Sequence, residues 1–304
     1  MINLHKLSIY FMAQAVSLVS PNFSDILLPN FEIGKFPDGD SHLRIPQLPS
    51  CKDNNVIIYH RLYPDQNSSL VELLLILDAV KYQGAKSITV VSPYLPYARQ
   101  DKQTVDGEIA SAHIICNLLA RAGCGKLVTF DCHFLNEEGE FMHGELLIKN
   151  ISMRDEMVAY ARELFAGEPF EIIGPDDGAA YLVKGSGGSN MKKVRKQYED
   201  SKIGYRNIET MEGNFEVKEK NVFLLDDMIS TGATMIKALE VIMDAGAKRV
   251  ICGATHGLFL YNCLDRLRKR SEVIFASNSI VSASGVVSIK EKLDFLNPGE
   301  QTLF

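Results

Sequence analysis

The sequence predicts an α/β protein of two tandem, mainly parallel sheets, each flanked by helices. Three observations carry this. Short apolar runs of strand character alternate with stretches whose apolar residues recur at helical spacing. Helical stretches stop at Gly84, Gly123 and Gly246, as helix C-termini favour. At 304 residues, with 46% hydrophobic and 23% charged residues, the chain can hold one large or two medium globular domains.

The elements follow in order. Residues 4–20 are mildly apolar, and Ala13-Gln14-Ala15 faintly mimics a leader cleavage site, but a buried first strand and helix account for them better. Residues 56–59 form a short strand. Residues 69–82 carry Leu70, Leu73, Leu74, Leu77 and Val80 at helical spacing. A strand at 87–91, a helix at 110–122 and a strand at 126–130 complete the first half. The second half has a helix at 155–165, strands at 171–173 and 222–225, a helix at 237–245 and a strand at 249–253. A boundary near residue 150 gives domains 1–148 and 149–304. The glycine-rich stretch 184–190 reads as a flexible segment inside the second.

A weak internal echo crosses that boundary. Residues 83–91 resemble 245–253, and Gly123 and Gly246 each precede a histidine, His133 and His256, by the same interval.

The formal charge of −6 argues against a general nucleic-acid binder, and no apolar run approaches a membrane span. The six cysteines, at 51, 116, 124, 132, 252 and 263, form no C-x-x-C pair. Neither a zinc site nor a redox motif is expected, and free thiols fit a reducing, cytoplasmic setting.

The most specific chemistry lies at Asn221-Val-Phe-Leu-Leu-Asp-Asp-Met-Ile-Ser-Thr-Gly-Ala-Thr234. Val222, Phe223, Leu224 and Leu225 drive a strand into a core. Asp226 and Asp227 fall at its carboxyl end, where open α/β sheets bind ligands. Ser230, Thr231, Gly232, Ala233 and Thr234 then offer amides and hydroxyls at the start of a helix near Thr234, a site for phosphate. Acidic residues beside a phosphate cradle suit a sugar phosphate. The short form, two acids before a Ser-Thr-Gly turn, also occurs as a plain N-cap and tight turn.

The full string resembles the phosphoribosyl pyrophosphate signature of type I phosphoribosyltransferases and ribose-phosphate pyrophosphokinases. Other segments are similar to the second family in particular. Pro93-Tyr-Leu-Pro-Tyr-Ala-Arg-Gln-Asp101 resembles its ATP segment, which leads into a mobile catalytic loop, here 102–109. Phe36-Pro-Asp-Gly-Asp40 resembles its F-x-D-G-E, with Asp40 in place of Glu. Asp131-Cys-His133 matches D-x-H, and Pro175-Asp-Asp-Gly178 matches P-D-x-G, whereas residues 134–144 depart from the family pattern. The resemblance covers roughly residues 30–282, with some features closer to archaeal members.

It implies two phosphoribosyltransferase-like domains, an ATP side at 1–148 and a sugar-phosphate side at 149–304. Mg2+ is the implied cofactor and ATP a substrate. The implied reaction is pyrophosphoryl transfer from ATP to ribose 5-phosphate, giving phosphoribosyl pyrophosphate and AMP. ATP would be held by Phe36, Asp38, Asp40, Arg99, Gln100, Asp101 and His133. The metal would be held by Asp131, His133 and Asp176, and the sugar phosphate by Asp226, Asp227 and residues 230–234. A homodimer or larger homo-oligomer is implied, because the segment holding Phe36 and Asp38 serves a neighbouring subunit.

One departure leaves the acceptor open. The family's K-x-R pair falls in 192–200, where Lys193, Arg195 and Lys196 compete for the role and the sequence does not fix the register. Three rivals therefore stand beside ribose 5-phosphate turnover: a larger acceptor such as ADP-ribose, a plain phosphoribosyltransferase, and a catalytically silent regulatory subunit.

Overall fold

The computed structural model describes residues 15–194, 210–212 and 216–296. The first half runs β1 (Val16–Val19), β2 (Glu32–Lys35), β3 (Ser41–Arg44), β4 (Asn55–Tyr59), α1 (Gln66–Tyr82), β5 (Ser87–Val91), α2 (Ser111–Ala122), β6 (Lys126–Phe130), β7 (Gly139–His143) and β8 (Leu146–Ile151). Its six-stranded sheet has the order β1-β4-β5-β6-β8-β7, parallel throughout except for β7. β2 and β3 form a separate antiparallel hairpin, tied to α1 by the Ser41 hydroxyl donating to Glu72 (2.8 Å).

The second half runs α3 (Arg154–Leu164), β9 (Phe170–Gly174), α4 (Ala180–Lys184), β10 (Ser189–Asn190), β11 (Lys192–Val194), β12 (Thr210–Glu212), β13 (Asn221–Ile229), α5 (Ala233–Asp244), β14 (Arg249–Gly257), α6 (Cys263–Arg268), β15 (Val273–Ser277) and β16 (Gly285–Val287). Its sheet, β10-β9-β13-β14-β15-β16, is wholly parallel, and β11–β12 form a small antiparallel pair. Parallel strands covered on both faces explain the unbroken apolar runs of the sequence. Every residue of β13 is buried.

Two sequence expectations need correction. The boundary at 148/149 falls inside β8, which pairs with β6 through Ile151. The first sheet therefore closes after Ile151, and α3 packs against β14 and β16 of the second. The stretch 184–190 is a turn that feeds an edge strand, Ser189 and Asn190 pairing with Ile173 and Gly174. The helix after the acidic pair begins at Ala233, close to the start expected near Thr234 and ahead of the apolar span 237–245. Of the expected first strand and helix, Val16–Val19 is a strand, and residues 4–14 lie outside the described residues.

The two sheets share a core. Phe23, Tyr59 and Phe130 of the first half pack in one cluster with Met157, Phe165, Phe223 and Phe275 of the second. Gly253 on β14 makes room for this layer: a Cβ there would press on the Phe223 and Phe275 rings, which stack at 5.5 Å. Separate apolar clusters lie under the outer helices of each half.

Candidate active site

The carboxyl ends of β6, β13 and β14 meet at the seam between the halves, and the polar residues there bond across it. His133 Nδ1 lies 2.6 Å from Asp227 Oδ2. Asp131 accepts from the Tyr181 hydroxyl (2.5 Å), the Thr255 hydroxyl (2.5 Å) and the Met153 amide (3.0 Å). His256 Nε2 stands 2.9 Å from the Phe130 carbonyl, to which only its N–H can donate. Arg61, almost fully buried, donates to Asp25 (2.5 Å) and to the carbonyls of Asn278 (2.7 Å) and Ser279 (3.2 Å). Buried polar groups need such partners, since an unpaired one costs the full loss of its hydration.

The acidic pair does not act as two equal groups. β13 continues through Ile229, so Asp226 and Asp227 are strand residues whose side chains leave opposite faces. Asp227 turns to the first half and His133. Asp226 accepts the Asp227 amide (2.9 Å). Burial lowers the His133 pKa, but the hydrogen bond and charge of Asp227 outweigh it and leave the group above its ordinary 6.5. Burial opposes ionisation of Asp227 as well, yet His133 and a side-chain hydrogen bond with Asp226 hold it below the ordinary 3.8. Each partner thus favours the charged form of the other, imidazolium facing carboxylate.

Residues 230–234 form the predicted turn into α5. Gly232 occupies the N-cap position with φ +76°, and no side chain caps the helix. The first amides of α5 are free of such a cap, which is what a phosphate requires. Above the turn, the Leu260 amide donates to the Ser230 carbonyl (2.9 Å), so the segment after β14 braces the loop.

Among the residues expected to hold ATP, Arg99 and Asp101 lie within electrostatic reach of His133. Arg99 and Gln100 are exposed. The Gln100 side chain accepts from Ser111 (2.5 Å) and thereby holds the start of α2. Phe36, Asp38 and Asp40 sit on the turn of the β2–β3 hairpin, where Phe36 lies edge-on to His42 at 4.9 Å. Lys193 lies on β11, opposite Met211. Arg195 and Lys196 lie outside the described residues.

The expected metal set does not assemble. Asp131 is fully buried and its two carboxylate oxygens accept three bonds, so it is closed to a metal. Asp176 caps the turn 177–179, accepting the Gly178 amide (2.8 Å), and that turn packs against β13. Among the described residues no three His, Cys, Asp or Glu side chains converge as a metal site.

Comparison with known proteins gives the family. A model described as the N-terminal domain of ribose phosphate pyrophosphokinase matches residues 12–123, and a phosphoribosyl transferase domain model matches residues 157–286. The ribose-phosphate pyrophosphokinase of Methanopyrus kandleri is 31% identical over 266 residues, covering 87% of this chain and 89% of its own. Those of Pyrococcus furiosus and Sulfolobus acidocaldarius are 33% and 34% identical, over 86% and 84% of this chain and 90% and 86% of theirs. The chain belongs to the ribose-phosphate pyrophosphokinase family.

The fold follows the same line. The crystal structure of phosphoribosylpyrophosphate synthetase from Mycobacterium smegmatis superposes with a TM-score of 0.75 over 94% of this chain and 98% of that one, at 23% identity. This ribose-phosphate pyrophosphokinase-family chain therefore has two phosphoribosyltransferase-type α/β domains and is an enzyme of that transferase family. No helix among the described residues is long and apolar enough to cross a membrane.

Sequence reasoning missed Arg61, Tyr181 and Thr255, and read His256 only as half of an echo. That echo was the available signal. β6 and β14 hold the same fourth position in their sheets, and Gly123 and Gly246 end the helices before them with positive φ. The histidines beyond are thus positional counterparts, turned toward one seam. The other echo, 83–91 with 245–253, pairs β5 with β14, which are not counterparts.

The His133–Asp227 pair should be visible in titration. A raised histidine pKa adds stability that is complete below 6.5 and is lost as pH rises through the raised value. A depressed Asp227 pKa adds stability present above 3.8 and lost as pH falls through the lowered value. Nucleotide- and metal-free protein should therefore lose melting temperature, relative to His133→Gln, as pH climbs from 6.5 through the raised value. An NMR titration of His133 with a midpoint at or below 6.5 would contradict this.

Proposed function

We propose that this chain transfers the β,γ-pyrophosphoryl group of ATP to the anomeric hydroxyl of ribose 5-phosphate, with Mg2+, releasing AMP. The acceptor oxygen bonds to the β-phosphorus, and the bond from that phosphorus to the oxygen shared with the α-phosphate breaks. The hydroxyl proton passes to solvent. One observation carries the reading: His133, within electrostatic reach of Arg99 and Asp101, touches Asp227 on the strand that feeds the turn into α5. A nucleotide held by the first group and a sugar phosphate held by the second would meet at that contact.

Such chemistry asks the protein mainly to position reactants and neutralise charge. In this reading Arg99 and His133 hold nucleotide phosphates, and residues 230–234 with the α5 amides hold the 5-phosphate. Asp226 and Asp227 accept from ribose hydroxyls. A cation from Lys193, Arg195 or Lys196 stabilises the moving group. Magnesium keeps waters and takes phosphate oxygens plus one or two protein groups. The half-buried Asp176 carboxylate fits that demand, and His133, whose Nδ1 is engaged, would join it only through Nε2 of the neutral ring. When bound, the ion would neutralise phosphate charge.

The hairpin turn leaves Phe36 51% exposed, which supports its use by a neighbouring subunit in a homo-oligomer. Sedimentation of a fully active monomer would refute that part. Six unpaired thiols support a cytoplasmic setting.

The test is AMP release from Mg-ATP with candidate acceptors. Release with ribose 5-phosphate is expected. Release only with ADP-ribose would move the acceptor and keep the reaction. Nucleotide binding without release on any acceptor would mark a silent regulatory subunit.

A further inference from the structure

Asp131 is fully buried, is not glycine, and has a left-handed backbone, φ +34°. Such a residue persists only where its surroundings hold it, and strain of this kind gathers at functional sites. Its surroundings here come from three elements of the other half. Tyr181 stands on α4, directly after the turn that carries Asp176. Thr255 stands on β14, level with Asp227 between the Asp226–Ala254 and Met228–His256 pairs of the β13–β14 ladder. The Met153 amide opens α3.

The spacing gives the arrangement its purpose. Thr255 and Asp227 share a rung, so both face the first half. Asp131 and His133, two residues apart, dock on that rung together, Asp131 on Thr255 and His133 on Asp227. We propose that Asp131, Tyr181 and Thr255 form a positioning clamp that fixes the strained turn after β6 and so sets His133 against Asp227. The same clamp ties that turn, through α4, to the segment bearing Asp176. Asp131 then acts through His133, and touches neither substrate nor metal.

Activity readouts of this clamp rest on the proposed function, so wild-type AMP release is measured first. Tyr181→Phe and Thr255→Val each delete one donor while keeping volume. Each should lower kcat about tenfold, as loss of a buried hydrogen bond does, with KM for ATP and acceptor within about threefold. Thr255→Ser, which keeps the hydroxyl, should stay near wild type. In a His133→Ala background, Tyr181→Phe should cost less than about twofold further, because a residue acting through His133 has nothing left to position.

Hydrogen exchange supplies a readout free of activity: amides of 131–135 should exchange faster in Tyr181→Phe than in wild type. Unchanged exchange there overturns the clamp. So does a kcat loss that excess magnesium relieves, or one that persists undiminished without His133. If wild-type protein released no AMP with any acceptor, the proposed function would fall and the exchange result alone would decide the clamp.

Discussion

Asp227→Asn should weaken acceptor binding about tenfold to a hundredfold while changing ATP affinity much less. The replacement removes a charged partner from a buried position, and a hydrogen bond to a charged group contributes roughly 1.5–3 kcal/mol. Asp227 is 3% exposed, so solvent cannot take over its role. A second effect follows from the ion pair. Without the carboxylate, the influence that holds His133 above 6.5 is gone, and burial should carry its pKa below that value. Calorimetric titration of ribose 5-phosphate and of a nonhydrolysable ATP analogue separates the two ligands. Unchanged acceptor affinity would detach this strand from the sugar phosphate.

The second large effect is expected from Gly232→Ala. The position has φ +76°, which costs an L-residue roughly 1–2 kcal/mol. The new methyl would also fall on the Cys263 Sγ, which is buried under the turn. The turn must shift, and the α5 amides shift with it. We expect the acceptor KM to rise more than about tenfold, since a phosphate held by several amides is sensitive to their aim. Cys263→Ala in the same chain removes the sulfur and leaves a Cβ at 3.6 Å, an ordinary contact. Part of the loss should then return, the part due to φ remaining. Wild-type acceptor KM in the single variant would show that the turn does not hold the phosphate.

Much of this was legible in the sequence because the signals are local. The run from Val222 to Leu225 is apolar over consecutive residues, as a strand covered on both faces requires. Ser230-Thr-Gly carries the only residue type that readily takes φ +76° at the start of a helix. The hairpins β2–β3 and β7–β8 were not legible. Their residues do not alternate apolar and polar, although β3 and β7 alternate in burial once folded, and the second hairpin lies where the motif pattern breaks off. The 148/149 boundary failed for a related reason: nothing in the sequence shows that residues 146–151 return to pair with β6.

The sequence by itself determined the α/β alternation, the order of the motifs, and which ends of which strands carry polar chemistry. Those features follow from residues adjacent in the chain, where propensity, apolar spacing and turn chemistry act. Only the tertiary structure decided how Asp131 and His133 divide their work. Both belong to one three-residue motif, and as a motif both look like ligands for a cation. Yet one is sealed between Tyr181 and Thr255, while the other reaches Asp227, and these partners lie 50 to 124 positions away. Whether a carboxylate meets solvent and metal or a ring of buried donors depends on which distant elements pack over it. Burial and hydrogen-bond partners then set its charge and role, and no local pattern records them.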